Sequence, residues 1–187
     1  SGEILTFNNS RDAFGVAQYL LGYDVNSTNP DEWRAAEEKL KEQKPLIQSY
    51  VMDEVFNKME AGEAAMAPYY AGDYLTMKQE NDDLAFVYPK EGTNKFVDVM
   101  CIPSSSENKK AAELFINYMC EPEVALHNAN YLGYLCPVTA VLSDDRYEYK
   151  DNEVLYPKQE VKTQFFHNLD QDTLDLLSKL WEDLKLA

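Results

Sequence analysis

Cysteine is scarce in this sequence and histidine scarcer. Of 187 residues only 3 are Cys and 2 are His. Cys101, Cys120 and Cys136 cannot all pair within one chain, and no two have a CxxC spacing, so neither a disulfide framework nor a cysteine-rich zinc site fits. Each has apolar or aromatic neighbours, which predicts buried free thiols. His127 and His167 lie in unrelated contexts, which leaves little for a histidine metal site or a Ser-His-Asp triad. Basic residues are also short, 17 Lys+Arg against 33 Asp+Glu for a formal charge of -16. A polyanion would be repelled, which argues against nucleic acid as a partner. The same surplus suits a receptor for small cations and many ordinary acidic proteins alike. No stretch approaches the roughly 18 consecutive apolar residues of a membrane span, and no signal peptide precedes Ile4. Ser1-Gly2 reads as a cloning remnant, and the expectation is a piece of a longer protein.

Enzyme signatures are missing as well. There is no GxSxG, Walker A loop, GxGxxG or HExxH, and the many carboxylates are not paired by any defensible spacing. Composition alone leaves an acid-base glycosidase open. The reading is a non-enzyme with no cofactor.

What is present is core-forming material, 45% apolar and 12% aromatic, enough for one domain or two small lobes. Ile4–Phe7 predicts a strand. Asn9 and Ser10 are N-caps for a helix with Ala13, Phe14, Ala17 and Leu21 on one face, stopped by Gly22. Asn29, Pro30 and the acids Asp31 and Glu32 start a second helix, with Trp33, Ala36 and Leu40 as its buried stripe until Pro45. Leu46–Val51 predicts a strand and Asp53–Met59 a short helix closed by Gly62. Ala64–Tyr70 is apolar, and Asp73 is a cap for a helix to about Gln79. Leu84–Tyr88 and Phe96–Ile102 predict further strands, the latter apolar on both faces as in a covered sheet. Ser104–Ser106 cap a helix with Ala111, Leu114, Phe115 and Tyr118 inward, and Pro122 opens another to Gly133. Residues 143 to about 164 read as a long surface connection. Leu174, Leu177, Leu180, Trp181 and Leu184 mark a strong final helix. Strands alternating with helices indicate an α/β fold with a largely parallel sheet.

Asp98 is a lone carboxylate in an otherwise apolar predicted strand, and Phe96, two positions back, shares its face. A carboxylate beside an aromatic suits an organic ammonium group; a strand-end acid beside a core Phe is the plainer alternative. Tyr69-Tyr70 before Ala71-Gly72-Asp73 fits a cleft lining at a strand end, or simple packing and a helix cap. Asn9 and Asp12 read as a capping arrangement, functional only if that helix start faces a cleft. Phe165-Phe166-His167-Asn168, before the last helix, offers ligand contacts or merely a hinge.

Taken in order, NNSRDAFGVAQYLLGYDVNSTNPDEW, MEAGEAAMAPYYAGDY, the YPKEG turn before an aromatic-x-Asp strand, the helix leading to EPEVA, and YLGYLCPVT together resemble the C-terminal half of the spermidine/putrescine-binding proteins of polyamine ABC transporters, within the type 2 periplasmic binding protein family. The resemblance implies an α/β, periplasmic-binding-protein-like lobe, a mostly parallel sheet flanked by helices, truncated at the N-terminal half. It implies a two-lobed extracytoplasmic receptor, periplasmic or held at the outer face of a bacterial membrane as a lipoprotein or permease fusion. Such a receptor closes on a linear polyamine and delivers it to the permease subunits of an ABC transporter. Carried over by position, it makes Asp98 the partner of an ammonium group, and puts Phe96 and Tyr70 where tryptophans are usual. Asp12 then stands where glutamate is usual, Asn9 where aspartate is frequent, and His167, loosely, where glutamine is. It also implies that residues 3–93 and 145–187 belong to the second lobe, whereas 94–144 would complete the first. Without its sheet partners that segment docks elsewhere, swaps between chains or dimerises. The alternatives are a binding domain for another small cationic or zwitterionic solute, or an extracytoplasmic domain of a permease fusion or signalling protein.

Overall fold

The computed structural model describes residues 2–187, which divide into two compact units. The first comprises residues 2–69, 77–96 and 160–187, and the second residues 70–76 and 97–159.

In the first unit, strand β1 (Ile4–Phe7) pairs in parallel with β2 (Ile47–Val51), with Phe7 opposite Val51 and an irregularity after Ile4. A parallel pair needs a crossover, and helices α1 (Ser10–Leu21) and α2 (Pro30–Gln43) supply it. Both begin where the caps predict. Asn9 Oδ1 accepts from the backbone N–H of Arg11 and Asp12, and Asn29 Oδ1 from that of Asp31. Gly22, at φ 74°, ends α1 in the left-handed conformation. After β2 come α3 (Glu54–Glu60) and α4 (Ala71–Glu80), the latter opening in the second unit and ending in the first. A second two-stranded parallel ladder joins β3 (Thr93–Lys95) to β4 (Thr163–Phe165). The final helix, α8, spans Gln171–Leu186.

The core of this unit is the meeting of α1, α2 and α8: Phe14 and Ala17, Trp33, Ala36 and Leu40, and Leu177, Leu180 and Leu184. Burying each of the larger side chains is worth about 1.5–3 kcal/mol. Trp33 keeps its indole N–H satisfied by donating to Ser27 O at 2.8 Å. Lys44 caps the C-terminal end of α8, donating to the carbonyls of Leu184 and Lys185.

The second unit holds α5 (Lys109–Met119), α6 (Pro122–Leu132) and α7 (Thr139–Leu142), followed by a run of turns. Its core is small: Ala125, Leu126 and Ala129 of α6, Val141 of α7, and Tyr147.

The helices α1, α2, α6 and α8 stand where their caps and periodicities put them. Several other expectations need correction. Leu84–Tyr88 and Phe96–Ile102 join neither ladder, and the paired strand is Thr93–Lys95 instead. A strand is defined by a repeated ladder with a neighbour and not by composition alone, and neither segment forms one. Helix α5 forms, but Ala111, Leu114, Phe115 and Tyr118 are exposed, because no layer of this chain covers that face. Cys101 and Cys120 are exposed for the same reason, and Cys136 is half-buried; all three are free thiols. The 143–164 stretch is less peripheral than its composition suggests, since Tyr147 and Leu155 are buried. No helix of the described residues is long and apolar enough to cross a membrane.

Candidate functional site

The start of α1 gathers the acidic candidates of the first unit. Asn9 is committed to capping, its Oδ1 2.9 Å from Arg11 N and 3.3 Å from Asp12 N. Asp12, only 9% exposed, is turned inward from the first helical turn, and its Oδ1 accepts from Asn94 Nδ2 of β3 at 3.3 Å. A carboxylate at a helix N-terminus is favoured by the helix dipole. The same unit carries His167, whose side chain is exposed and whose backbone is held at both ends: its N–H donates to Asn26 Oδ1 at 2.7 Å and its carbonyl accepts from Arg11 Nη2 at 3.4 Å. Phe96, directly after β3, leaves 43% of its surface exposed. Next to it in space Lys95 Nζ lies 5.6 Å from the Phe165 ring.

The second unit has its own group. Tyr70 precedes α4, its carbonyl accepting from Tyr74 N, and Gly72 and Asp73 form the helix's first turn. Asp73 does not cap α4, which begins two residues earlier. It accepts a hydrogen bond from the Tyr134 hydroxyl at 2.9 Å. Tyr134 follows Gly133, whose left-handed φ of 69° ends α6 and turns the chain so that the aromatic ring lies over Gly72. A Cβ built on Gly72 would overlap that ring. The absence of a side chain at residue 72 is therefore what lets the phenol reach Asp73. Burial first, then the charge of Asp73 and that of Asp98, pushes the Tyr134 hydroxyl well above the ordinary tyrosine range. Asp98 is exposed and near enough to be felt at that phenol.

The sequence candidates thus fall into two sets. Asn9, Asp12, Phe96 and His167 belong to the first unit, and Tyr70 and Asp98 to the second. Phe96 and Asp98 do not share a sheet face, because the segment carrying them is not a strand. Tyr134 was not singled out by pattern, and Asp73 was noted only as a cap. The signal for Tyr134 was an aromatic directly after a helix-ending glycine. Chemically, the carboxylate bonded to a phenol in the second unit, and separately the inward-turned Asp12 in the first, are of the kind that suits alkylammonium groups, through charge-assisted hydrogen bonds to acids and cation-π contact with rings. Among the described residues no cluster of His, Cys, Asp and Glu is placed to hold a metal ion.

Residues 2–155 match the family model for bacterial extracellular solute-binding proteins, and the chain belongs to that family. Within it, the chain is 31% identical over 159 residues to the spermidine/putrescine-binding periplasmic protein of Escherichia coli K12, covering 85% of this chain and 46% of that protein. It is 27% identical over 168 residues to the putrescine-binding periplasmic protein PotF of the same organism, covering 86% of this chain and 45% of PotF. Among solved structures, the spermidine/putrescine substrate-binding protein PotD of Streptococcus pneumoniae superposes with a TM-score of 0.82 at 29% identity, covering 99% of this chain and 58% of that one. The chain therefore spans about half the length of the curated relatives it matches.

Proposed function

We propose that this chain is part of an extracytoplasmic receptor that captures a linear polyamine, putrescine or spermidine, and hands it to the permease subunits of an ABC importer. The observation that carries the reading is the Asp73–Tyr134 hydrogen bond seated over Gly72, an acid-and-aromatic pair built by the fold. Asp98 meets one ammonium group, with Tyr70 and Tyr134 as the rings against which the methylene spacer packs. Asp12 meets an ammonium group in the first unit, with Phe96 as its aromatic neighbour and Asn9 and His167 as hydrogen-bonding neighbours. Each amine leaves a strong hydration shell, so the acids and rings together have to replace it. The names of the relatives support the ligand class and a periplasmic setting.

The lobe assignment belongs to the same reading. Residues 3–93 and 145–187 are assigned to the second lobe of the receptor and 94–144 to the completion of the first, with sheet strands from the part of the relatives' length that this chain does not cover; in this structure 70–76 and 145–159 pack with 97–144. The exposed apolar residues Val97, Val99 and Met100 and the uncovered face of α5 support it.

Calorimetry of the full-length protein with putrescine, spermidine and a neutral sugar tests the function. Saturable heat with a polyamine and none with the sugar is expected, and Asp98→Asn should weaken polyamine binding by about 2–4 kcal/mol, since one ammonium loses its counter-charge in a desolvated site. Saturation by another solute with no polyamine response would overturn the reading, and an unchanged affinity in the variant would remove Asp98 from the site.

A further inference from the structure

Arg11 stands between Asn9 and Asp12 in the sequence, and its side chain turns the other way, into the first unit. Its guanidinium lies 4.5 Å from the centroid of the Phe166 ring and 5.7 Å from that of Trp33. It donates to Val25 O at 2.9 Å, to Asn26 Oδ1 at 3.1 Å and to His167 O at 3.4 Å. Asn26 extends the arrangement: its Nδ2 donates to Phe165 O at 2.8 Å and its Oδ1 accepts from His167 N at 2.7 Å, the pattern of a strand partner made by one side chain. Val25 N adds a bond to Gln164 Oε1 at 3.1 Å. On α1 the space for Phe166 exists because residue 15 is glycine; a Cβ there would come within 3.1 Å of the ring. Three stretches distant in sequence, residues 11–15, 25–26 and 164–167, are thereby clasped together around one planar cation. A guanidinium is suited to this, since it stacks on aromatic faces while its fork serves several acceptors at once.

We propose that Arg11 and Asn26 are positioning residues, which fix the backbone of 165–167 against the start of α1 and so preset His167 relative to Asp12 for the ligand. The proposal rests on the reading above that Asp12 and His167 face a polyamine. A segment held in place before the ligand arrives does not have to be ordered by it, and the ordering cost that would otherwise be taken from affinity is avoided. Arg11 and Asn26 need not touch the ligand for this.

The test compares wild type with Asn26→Ala, Arg11→Ala and Arg11→Lys in the full-length protein, by amide hydrogen exchange without ligand and by calorimetry with spermidine. In Asn26→Ala, faster exchange across 164–168 with α2 and α8 unchanged is expected, together with spermidine binding weakened roughly tenfold, the order of effect of freeing a few ordered groups. Arg11→Lys, which keeps the charge but not the fork, should fall between wild type and Arg11→Ala in both readouts. Faster exchange of 164–168 with unchanged affinity would overturn the positioning role, as would exchange that rises equally throughout the unit, the mark of a purely structural residue. Should wild type give no heat with spermidine, the ligand reading fails, and with it this proposal's functional half. In that event local loosening of 164–168 in Asn26→Ala still supports the clasp, and its absence overturns it.

Discussion

Gln18 lies in α1 with 0% of its surface exposed, and neither its amide nitrogen nor its amide oxygen finds a hydrogen-bond partner among the described residues. A buried, unsatisfied amide costs about 1–3 kcal/mol relative to a satisfied one. Methionine has nearly the same length and no polar group to strand. Gln18→Met should therefore raise stability by about 1 kcal/mol, read as a higher denaturant midpoint at unchanged slope. A lower midpoint would mean that the amide has a role in the folded state. At the scale of single residues, the candidate site was partly legible. Acids standing out from apolar or aromatic stretches, such as Asp98, can be found by pattern alone. Tyr134 could not, because its importance comes from lying over a glycine 62 positions away, a contact that no local pattern encodes.

Among elements, those that specify themselves were legible and those that need a partner were not. Helices α1, α2 and α8 carry their own caps and their own stripe, and the three stripes meet one another in a single core. The Phe96–Ile102 stretch has the composition of a strand but belongs to neither ladder, and β propensity does not by itself make a strand. The start of α6 shows how a loop can be fixed by charge instead. Arg146 offers one fork to Glu123 in the first turn of α6, at 2.7 and 3.0 Å, and another to Asp144, at 2.7 and 3.1 Å. Hydrogen bonds from Arg146 hold the Asp144 carboxyl down at about 2 and lower that of Glu123. Both folded values are depressed, so whatever stability the cluster adds is full above the ordinary carboxylate range and is lost as pH falls through the folded values. Because the groups are exposed, that contribution is small and screened by salt. In Arg146→Gln the Asp144 titration midpoint, followed by carboxyl NMR, should climb towards the ordinary value of about 3.9. It should stop short of it, because the backbone N–H of residue 146 still donates to Asp144 Oδ1 at 2.9 Å. A midpoint that stays near 2 would show that the side chain is not what holds it.

On the scale of the whole molecule, the two units are unequal in how completely they bury their apolar residues. The first closes a core around a fully buried Trp33, whereas in the second α5 buries no residue at all, and Val99 and Leu114 keep 72% and 62% of their surface exposed. Leaving such side chains in water forgoes about 1.5–3 kcal/mol each, and exposed apolar surface of this kind marks a place where another layer belongs. The 187-residue chain alone is therefore expected to bind a hydrophobic dye and to sediment with a mass that rises with concentration. Phe115→Lys, which places a charge on the exposed face of α5, should reduce both without lowering the stability of the first unit, whose core it does not touch. On the lobe assignment proposed above, supplying in trans the portion of a relative that this chain does not match should suppress dye binding and self-association together, because the same apolar residues cannot be covered by two partners at once. A chain that stays monomeric and dye-silent at high concentration would show that residues 97–119 cover themselves in solution, and the assignment of 94–144 to a lobe completed from outside this chain would fall.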